Sequence, residues 1–133
     1  MLRRVFLSPS LGLLLLLPVL AACAAAYDDP ETITPRELLE RMGTEDAPIV
    51  LDVRSSFEFR MGHVPGAYNL EDRQVPSRIE ELKQLADREI VVYCEVGPRA
   101  RWVESYLKQN GFTNVRHLQG DFSGWQRSGH PVE

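Results

Sequence analysis

The sequence predicts an α/β fold in which a parallel β-sheet is covered by helices on both faces. Short apolar, β-branched segments alternate with segments of helical periodicity throughout residues 32–133. Such alternation at short intervals favours parallel strands joined by crossover helices. Two predicted strands, residues 49–53 and 90–93, are apolar at nearly every position, as is typical of strands buried on both faces. Ligands of such sheets bind where strands end and helices begin.

The elements of the first half each have a local signal. Thr34 begins a capping box that starts a helix at residues 34–43, with proline in its first turn and glycine at its end. The apolar run at residues 49–53 predicts the first buried strand. A serine cap then begins a brief helix at residues 55–62, and a Pro-Gly turn precedes a weak strand at residues 67–70.

The second half continues the same pattern. Ser77 begins a second capping box, and aliphatic residues lie on one face of the helix that follows. Residues 90–93 form the second buried strand. Proline opens and glycine ends the next helix at residues 98–111, with apolar side chains at helical spacing. Residues 115–118 predict a strand, and residues 122–125 predict a terminal helical turn.

The composition excludes several classes of protein. The chain has 133 residues, 44% of them hydrophobic and 26% charged, and its net charge is −4. This balance excludes global disorder and argues against a nucleic-acid-binding surface. Two cysteines, Cys23 and Cys94, are too few for a disulfide-rich scaffold.

Residues 1–22 predict an export signal, because two arginines precede a short leucine-rich run that ends in small residues. That run is interrupted and too short for a permanent transmembrane helix. Residues 20–23 resemble the lipobox of bacterial lipoproteins, in which Cys23 becomes the lipidated mature N-terminus. Cleavage after Ala26 is the alternative and would release a soluble domain. We expect lipidation, because Cys23 lies at the end of the apolar run.

The predicted organisation is a signal peptide at residues 1–22, a lipidated cysteine with a short tether at residues 23–31, and one domain at residues 32–133. The protein would face the periplasm from the cell envelope, at the outer membrane in a diderm cell. It would contact the membrane only through its lipid, because the domain is acidic. We expect a monomer with no nucleic-acid partner.

The loop after residues 90–93 contains the candidate nucleophile, Cys94. A loop that leads into a helix start directs several backbone N–H groups toward one point and can hold an anion. The helix N-terminus and Arg99 favour a thiolate at Cys94, Gly97 allows the tight turn, and Glu95 opposes the thiolate. A small buried cysteine at a strand end is the other interpretation of this loop, and the loop alone leaves both open.

Four segments of the chain resemble, in order, the motifs of single-domain rhodaneses, and together they span residues 32–133. With the export signal, the subgroup that the chain resembles is the phage-shock-protein-E-like rhodaneses. The segments are Leu51-Asp52-Val53-Arg54, Gly62-His63-Val64-Pro65-Gly66-Ala67 with Asn69-Leu70, Val91-Val92-Tyr93-Cys94 with Gly97 and Arg99, and Leu118-Gln119-Gly120-Asp121-Phe122 with Trp125.

The resemblance implies a five-stranded parallel sheet and sulfurtransferase activity without a cofactor. Cys94 would take a sulfane sulfur from thiosulfate or a persulfide and pass it to a thiol or to cyanide. The N–H groups of the loop would hold the donor anion, and Arg99 would add positive charge. The implied substrate-binding residues are Glu95, Val96, Gly97, Pro98 and Arg99.

Three details of the loop bear on its specificity. The six residues from Cys94 to Arg99 match the sulfurtransferases, whereas phosphatase relatives have one residue more, so phosphate should fit poorly. Ala100 stands where the family often has serine or threonine, and Glu95 where many thiosulfate-active members are basic or neutral. Both departures argue against thiosulfate as the preferred donor. The alternatives are a cysteine phosphatase or arsenate reductase, and a binding module that carries a Cys94 persulfide without turnover.

Several other residues are predicted to be structural. We expect Asp52 and Arg54 to brace neighbouring loops through hydrogen bonds and an ion pair, such as Arg54 with Glu58. Phe122 and Trp125 are expected in the core. The three histidines lack metal-ligand spacing, so we expect no metal site.

Overall fold

The structure is a computed structural model that describes residues 29–133. The predicted signal peptide, Cys23, Ala26 and most of the predicted tether lie outside these residues. The strands are β1 (Thr32–Ile33), β2 (Ile49–Asp52), β3 (Tyr68–Asn69), β4 (Ile90–Tyr93) and β5 (Val115–Leu118). The helices are α1 (Pro35–Arg41), α2 (Ser56–Met61), α3 (Val75–Leu82), α4 (Pro98–Gln109) and α5 (Asp121–Arg127).

The five strands form one parallel sheet in the order β1-β5-β4-β2-β3. The predicted α/β class and five-stranded parallel sheet are therefore confirmed. The two strands predicted to be buried, β2 and β4, are hydrogen-bonded neighbours near the middle of the sheet, with Leu51 opposite Val92. Because all strands are parallel, the ends of β2 and β4 meet at one edge, where Asp52 lies opposite Tyr93.

Apolar side chains of alternate residues enter two separate cores, one on each face of the sheet. Val92 and Leu51 pack in one core with α3 and with α4, in which Val103 and Leu107 are fully buried. Val91 enters the opposite core, with the α1 and α5 side chains. Each side chain of this kind stabilises the fold by about 1.5–3 kcal/mol when fully buried. No helix within residues 29–133 is long and apolar enough to cross a membrane.

Local signals located most elements, with two exceptions. The predicted capping box at Ser77 is wrong: α3 already begins at Val75, and the Ser77 hydroxyl donates to the Gln74 carbonyl at 2.8 Å inside the helix. A 3₁₀ turn at Asp72–Gln74 runs directly into α3, so no side chain caps it. Strand β1 has only two residues, too few for an apolar pattern, and its identity depends on pairing with β5.

A partly buried ion network joins α1 to the start of β4 and to β5. The Glu89 carboxylate accepts hydrogen bonds from Arg41 at 2.9 and 2.5 Å and from Arg116 at 3.3 Å. Arg116 also donates to Glu37 and to the Thr32 carbonyl of β1. The Arg41 hydrogen bonds outweigh burial and hold the pKa of Glu89 below its usual value. The network therefore attaches the two-residue strand β1 to the rest of the sheet.

Replacing Glu89 with alanine is expected to lower the free energy of unfolding by about 2–3 kcal/mol, because the partly buried Arg41 loses its carboxylate partner and Arg116 loses one of two. Denaturant unfolding followed by circular dichroism measures this change. Glu80→Ala is the matched control, since it breaks an exposed pair with Lys83 and should change stability by less than about 0.5 kcal/mol. Equal losses in the two variants would contradict the role of the network.

Candidate active site

Cys94 lies immediately after β4 and is 1% exposed. It is a free thiol, and the backbone N–H of Gly97 donates to its Sγ at 3.0 Å. Gly97 has a φ of +117°, a conformation that side chains disfavour, and this allows the chain to fold back over the sulfur before α4 begins. The sequence therefore places the thiol correctly between a buried strand and a helix N-terminus.

The first turn of α5 holds the opposite side of the Cys94 loop. The N–H groups of Phe122 and Ser123 donate to the carbonyls of Cys94 and Glu95 at 3.0 and 3.2 Å. The Asp121 carboxylate accepts from the Cys94 N–H at 2.9 Å. These contacts satisfy the carbonyls of Cys94 and Glu95 and the Cys94 N–H, and they hold the loop against α5.

The free amides of the loop form what we call the amide cradle, the N–H groups of residues 95, 96, 97, 99 and 100. Within the described part of the chain, only the Gly97 N–H of this set has an acceptor, the Cys94 Sγ. The others belong to the loop and to the unsatisfied first turn of α4. N–H groups gathered at a helix start bind anions without any charged side chain. Pro98 has no N–H and contributes only the helical start.

Arg99 does not point a free guanidinium at the cradle. It makes two hydrogen bonds to the Glu58 carboxylate of α2, at 2.9 and 2.8 Å. The Arg99 guanidinium lowers the pKa of Glu58 to about 2, and Glu58 in turn raises the pKa of Arg99. The capping box of Ser55 and Glu58 is also present, so one carboxylate caps α2 and anchors α4. The predicted pairing of Arg54 with Glu58 is therefore wrong.

Glu95 turns away from the cradle. One carboxylate oxygen accepts from Arg54 Nη1 at 3.1 Å, and the other accepts from the Ser123 hydroxyl at 2.8 Å. The side chain is 38% exposed. Val96, the next residue, is 68% exposed at the surface of the loop. The Glu95 side chain thus makes contacts outside the cradle, whereas the Val96 side chain is exposed to solvent.

Asp52 and Arg54 form a buried ion pair beneath the loop, as the expected bracing role requires. Arg54 Nη2 donates to Asp52 at 2.7 Å and to the Gly62 carbonyl at 2.7 Å. The Tyr93 hydroxyl donates to Asp52 at 2.7 Å, and burial, with Asp52 nearby, raises the pKa of that phenol. The Arg54 guanidinium lies 4.0 Å from the centre of the Phe122 ring. Phe122 and Trp125 are buried in the core, as predicted.

The structure also contains a second buried set of polar contacts, centred on His117, that the sequence did not predict. His117 of β5 contacts Asp121 through Nε2 at 3.0 Å and Glu104 of α4 through Nδ1 at 2.5 Å. Burial lowers the pKa of His117, but hydrogen bonds to both carboxylates outweigh burial and raise it to about 9. Asp121 has a φ of +54°, an uncommon value for a residue with a side chain. The only sequence signal is an aspartate four residues after a histidine, across a glycine turn.

We expect the stability of the wild-type protein to fall as pH rises through about 9. A histidine whose folded pKa exceeds its unfolded value stabilises the fold below about pH 6.5, and this contribution is lost as pH rises through the folded pKa. Urea unfolding at pH 6, 7.5 and 9.5 measures it.

The His117→Gln variant is the comparison. Between pH 6 and pH 9.5, its free energy of unfolding should fall by about 2–3 kcal/mol less than that of the wild type, because glutamine does not titrate. Parallel pH profiles for the two proteins would show that His117 is neutral in the folded state.

Comparison with known proteins agrees with this geometry. Residues 34–128 match the rhodanese-like domain. The chain is 31% identical over 100 residues to a sulfurtransferase of Allochromatium vinosum, covering 75% of this chain and 92% of the relative. It is 33% identical over 101 residues to the thiosulfate sulfurtransferase GlpE of Glaesserella parasuis, covering 76% and 91%.

Two further comparisons show similarity to part of a longer protein and to a solved structure. A tRNA uridine(34) hydroxylase of Listeria welshimeri is 36% identical over 100 residues, covering 72% of this chain but 31% of that longer protein. A rhodanese-related protein of Thermoplasma volcanium has a similar structure, with a TM-score of 0.68, 27% identity, and coverage of 77% of this chain and 97% of that one. The chain therefore belongs to the rhodanese family.

Proposed function

We propose that the protein is a sulfurtransferase that carries a sulfane sulfur as a persulfide on Cys94. The observation that carries the proposal is the position of the Cys94 Sγ, in contact with the Gly97 N–H at the centre of the amide cradle. Relatives that match three quarters of this chain are named sulfurtransferase and thiosulfate sulfurtransferase. The proposal extends their chemistry to this protein.

The proposed first step is nucleophilic displacement at sulfur. The Cys94 thiolate attacks the outer sulfur of thiosulfate, a Cys–S–S⁻ persulfide forms, and the S–S bond of thiosulfate breaks to release sulfite with its electron pair. In the second step, a thiolate or cyanide attacks the outer persulfide sulfur and releases the Cys94 thiolate. No electrons leave or enter the protein, so the cycle needs no cofactor.

The amide cradle would serve both steps. Backbone N–H groups are fixed dipoles, and they stabilise an anionic sulfur without the reorganisation that water would need. The Gly97 N–H, which now donates to the Cys94 Sγ, and the cradle N–H groups that lack an acceptor would donate to the outer sulfur of the persulfide and to the departing anion. A thiolate held at a helix N-terminus is also a typical activated nucleophile.

The central test is persulfide formation. Incubation with thiosulfate or an organic persulfide should add the mass of one sulfur atom to the tryptic peptide that contains Cys94, and added cyanide should remove it as thiocyanate. Cys94→Ser should abolish both while circular dichroism stays unchanged. Absence of the added mass with every donor would refute sulfur transfer. Hydrolysis of an aryl phosphate that requires Cys94 would instead favour the phosphatase alternative, and a stable persulfide without turnover would favour a carrier role.

We also propose that the protein is a phage-shock-protein-E-like rhodanese that is exported and anchored by lipid at Cys23. The support is the leucine-rich run and the small residues that end at Cys23. An oxidising compartment suits this arrangement, because Cys94 has no other free cysteine among the described residues with which to form a disulfide.

The anchor is tested by metabolic labelling with an acyl-chain probe. The wild-type chain should incorporate label and partition into the membrane fraction, whereas Cys23→Ala should lose both properties. Cleavage after Ala26 would instead give an unlabelled soluble form of the wild type. Mass spectrometry of the mature N-terminus distinguishes these two results.

A further inference from the structure

We propose that Arg101, rather than Arg99, is the cation that binds the oxyanion group of a sulfur donor at this site. The inference rests on the proposed sulfur transfer and names the side chain that recognises a sulfonate group next to the transferred sulfur, as in thiosulfate. It follows from the position of the Arg101 guanidinium, from the partners of the neighbouring cations and from the size of the donor.

The Arg101 guanidinium lies directly against the loop that follows Cys94. Arg101 ends the first turn of α4, and its N–H donates to the Gly97 carbonyl at 3.0 Å. A Cβ atom added to Gly97 would lie 2.6 Å from Arg101 Nη1 and 3.0 Å from Cζ and Nη2. Long side chains of a helix point back toward its N-terminus, and here the guanidinium occupies the space that a side chain at residue 97 would need. Glycine at this position therefore leaves room for the cation.

Arg101 has no ionic partner within residues 29–133, in contrast to the two other arginines near the loop. Arg99 binds both carboxylate oxygens of Glu58. Arg54 is held in its buried pair with Asp52. The Arg101 side chain makes no hydrogen bond or ion pair with these described residues, and the residue is exposed. Its positive charge is therefore available to a ligand.

The guanidinium is close enough to contact a donor that reacts with Cys94. The Gly97 N–H donates to the Cys94 Sγ at 3.0 Å, and the contact of Arg101 with Gly97 then places Nη1 at most about 8 Å from that sulfur. In the reacting complex the transferred sulfur lies about 3–3.5 Å from the thiolate, and the next donor sulfur follows at about 2 Å. The sulfonate oxygens are then about 6 Å from Sγ, and a hydrogen bond of about 3 Å from the guanidinium spans the remaining gap.

The two ends of the donor would thus contact different groups of the protein. The Gly97 N–H and the rest of the amide cradle would serve the transferred sulfur, which ends on Cys94. Arg101 would bind the sulfonate oxygens, whose negative charge increases as the S–S bond breaks and sulfite leaves. A guanidinium suits this group, because its planar fork donates to two oxygens at once.

The test compares thiosulfate with 2-hydroxyethyl persulfide, a donor that has no oxyanion group next to the transferred sulfur. Thiosulfate gives the Cys94 persulfide and releases sulfite. With the second donor, the Cys94 thiolate attacks the outer sulfur, the S–S bond of the donor breaks, and 2-mercaptoethanol leaves with the electron pair and the proton. In a ping-pong cycle, kcat/KM for each donor reports only this half of the reaction.

Arg101→Gln is the decisive variant. We expect kcat/KM for thiosulfate to fall about tenfold, because a charge-assisted hydrogen bond to the sulfonate is lost. The value for 2-hydroxyethyl persulfide should change by less than about twofold. Arg101→Lys keeps the charge without the fork and should bring thiosulfate back to within about threefold of the wild type. Added NaCl should lower kcat/KM for thiosulfate more in the wild type than in Arg101→Gln, because salt screens the attraction.

Arg36→Gln is the matched control. It removes the same charge from an exposed pair with Glu40 on α1 and should leave kcat/KM for both donors unchanged. A loss of thiosulfate activity in this variant equal to the loss in Arg101→Gln would show that only the net charge of the protein matters, and it would refute a contact with Arg101.

The outcomes separate this inference from the proposed function. If neither donor forms a Cys94 persulfide in the wild type, sulfur transfer itself is refuted. If the wild type uses the persulfide but not thiosulfate, or if Arg101→Gln changes both donors by the same factor, sulfur transfer stands and oxyanion binding by Arg101 is refuted. A loss that is specific to thiosulfate and is largely restored by lysine supports the inference.

Discussion

The buried pair of Asp52 and Arg54 is the constraint on which the rest of the site depends. Both side chains are almost completely removed from solvent, at 0% and 2% exposure. Two such charges are stable in a protein only when they neutralise each other and when every remaining donor and acceptor is satisfied. The fold meets this condition with groups from several elements, the Tyr93 hydroxyl, the Gly62 carbonyl and the Glu95 carboxylate. The end of β2, the end of β4, α2 and the candidate loop must therefore keep one relative arrangement.

The same arrangement explains why the loop after Cys94 can keep backbone N–H groups that have no acceptor. A loop whose carbonyls and amides both lacked partners would be costly to bury. Here the Phe122 and Ser123 N–H groups satisfy the carbonyls, and Asp121 satisfies the Cys94 N–H. The N–H groups of residues 95, 96, 99 and 100 remain without an acceptor among the described residues.

The sequence predicts those parts of the structure that depend on local patterns. The buried strands β2 and β4, the cap at Ser55 and the position of Cys94 after a strand are all local. Local patterns do not identify every partner of a charged side chain, since Arg54 binds its neighbour Asp52 and the distant Glu95 but not Glu58. Glu58 instead accepts hydrogen bonds from Arg99, which is 41 residues away along the chain. Distances between elements decide such choices, and they exist only after the sheet has formed.

At Asp121, side-chain contacts around Cys94 override the local preference of the backbone for glycine. A positive φ at a residue with a side chain costs about 1–2 kcal/mol relative to glycine, so glycine would be the locally favoured residue. Glycine, however, would leave the Cys94 N–H without its acceptor and His117 without one of its two carboxylates. A buried amide that loses its partner costs about 1–3 kcal/mol, and a buried cation that loses its partner costs more. The side-chain contacts therefore outweigh the backbone strain, and the strained aspartate is the more stable choice next to the thiol.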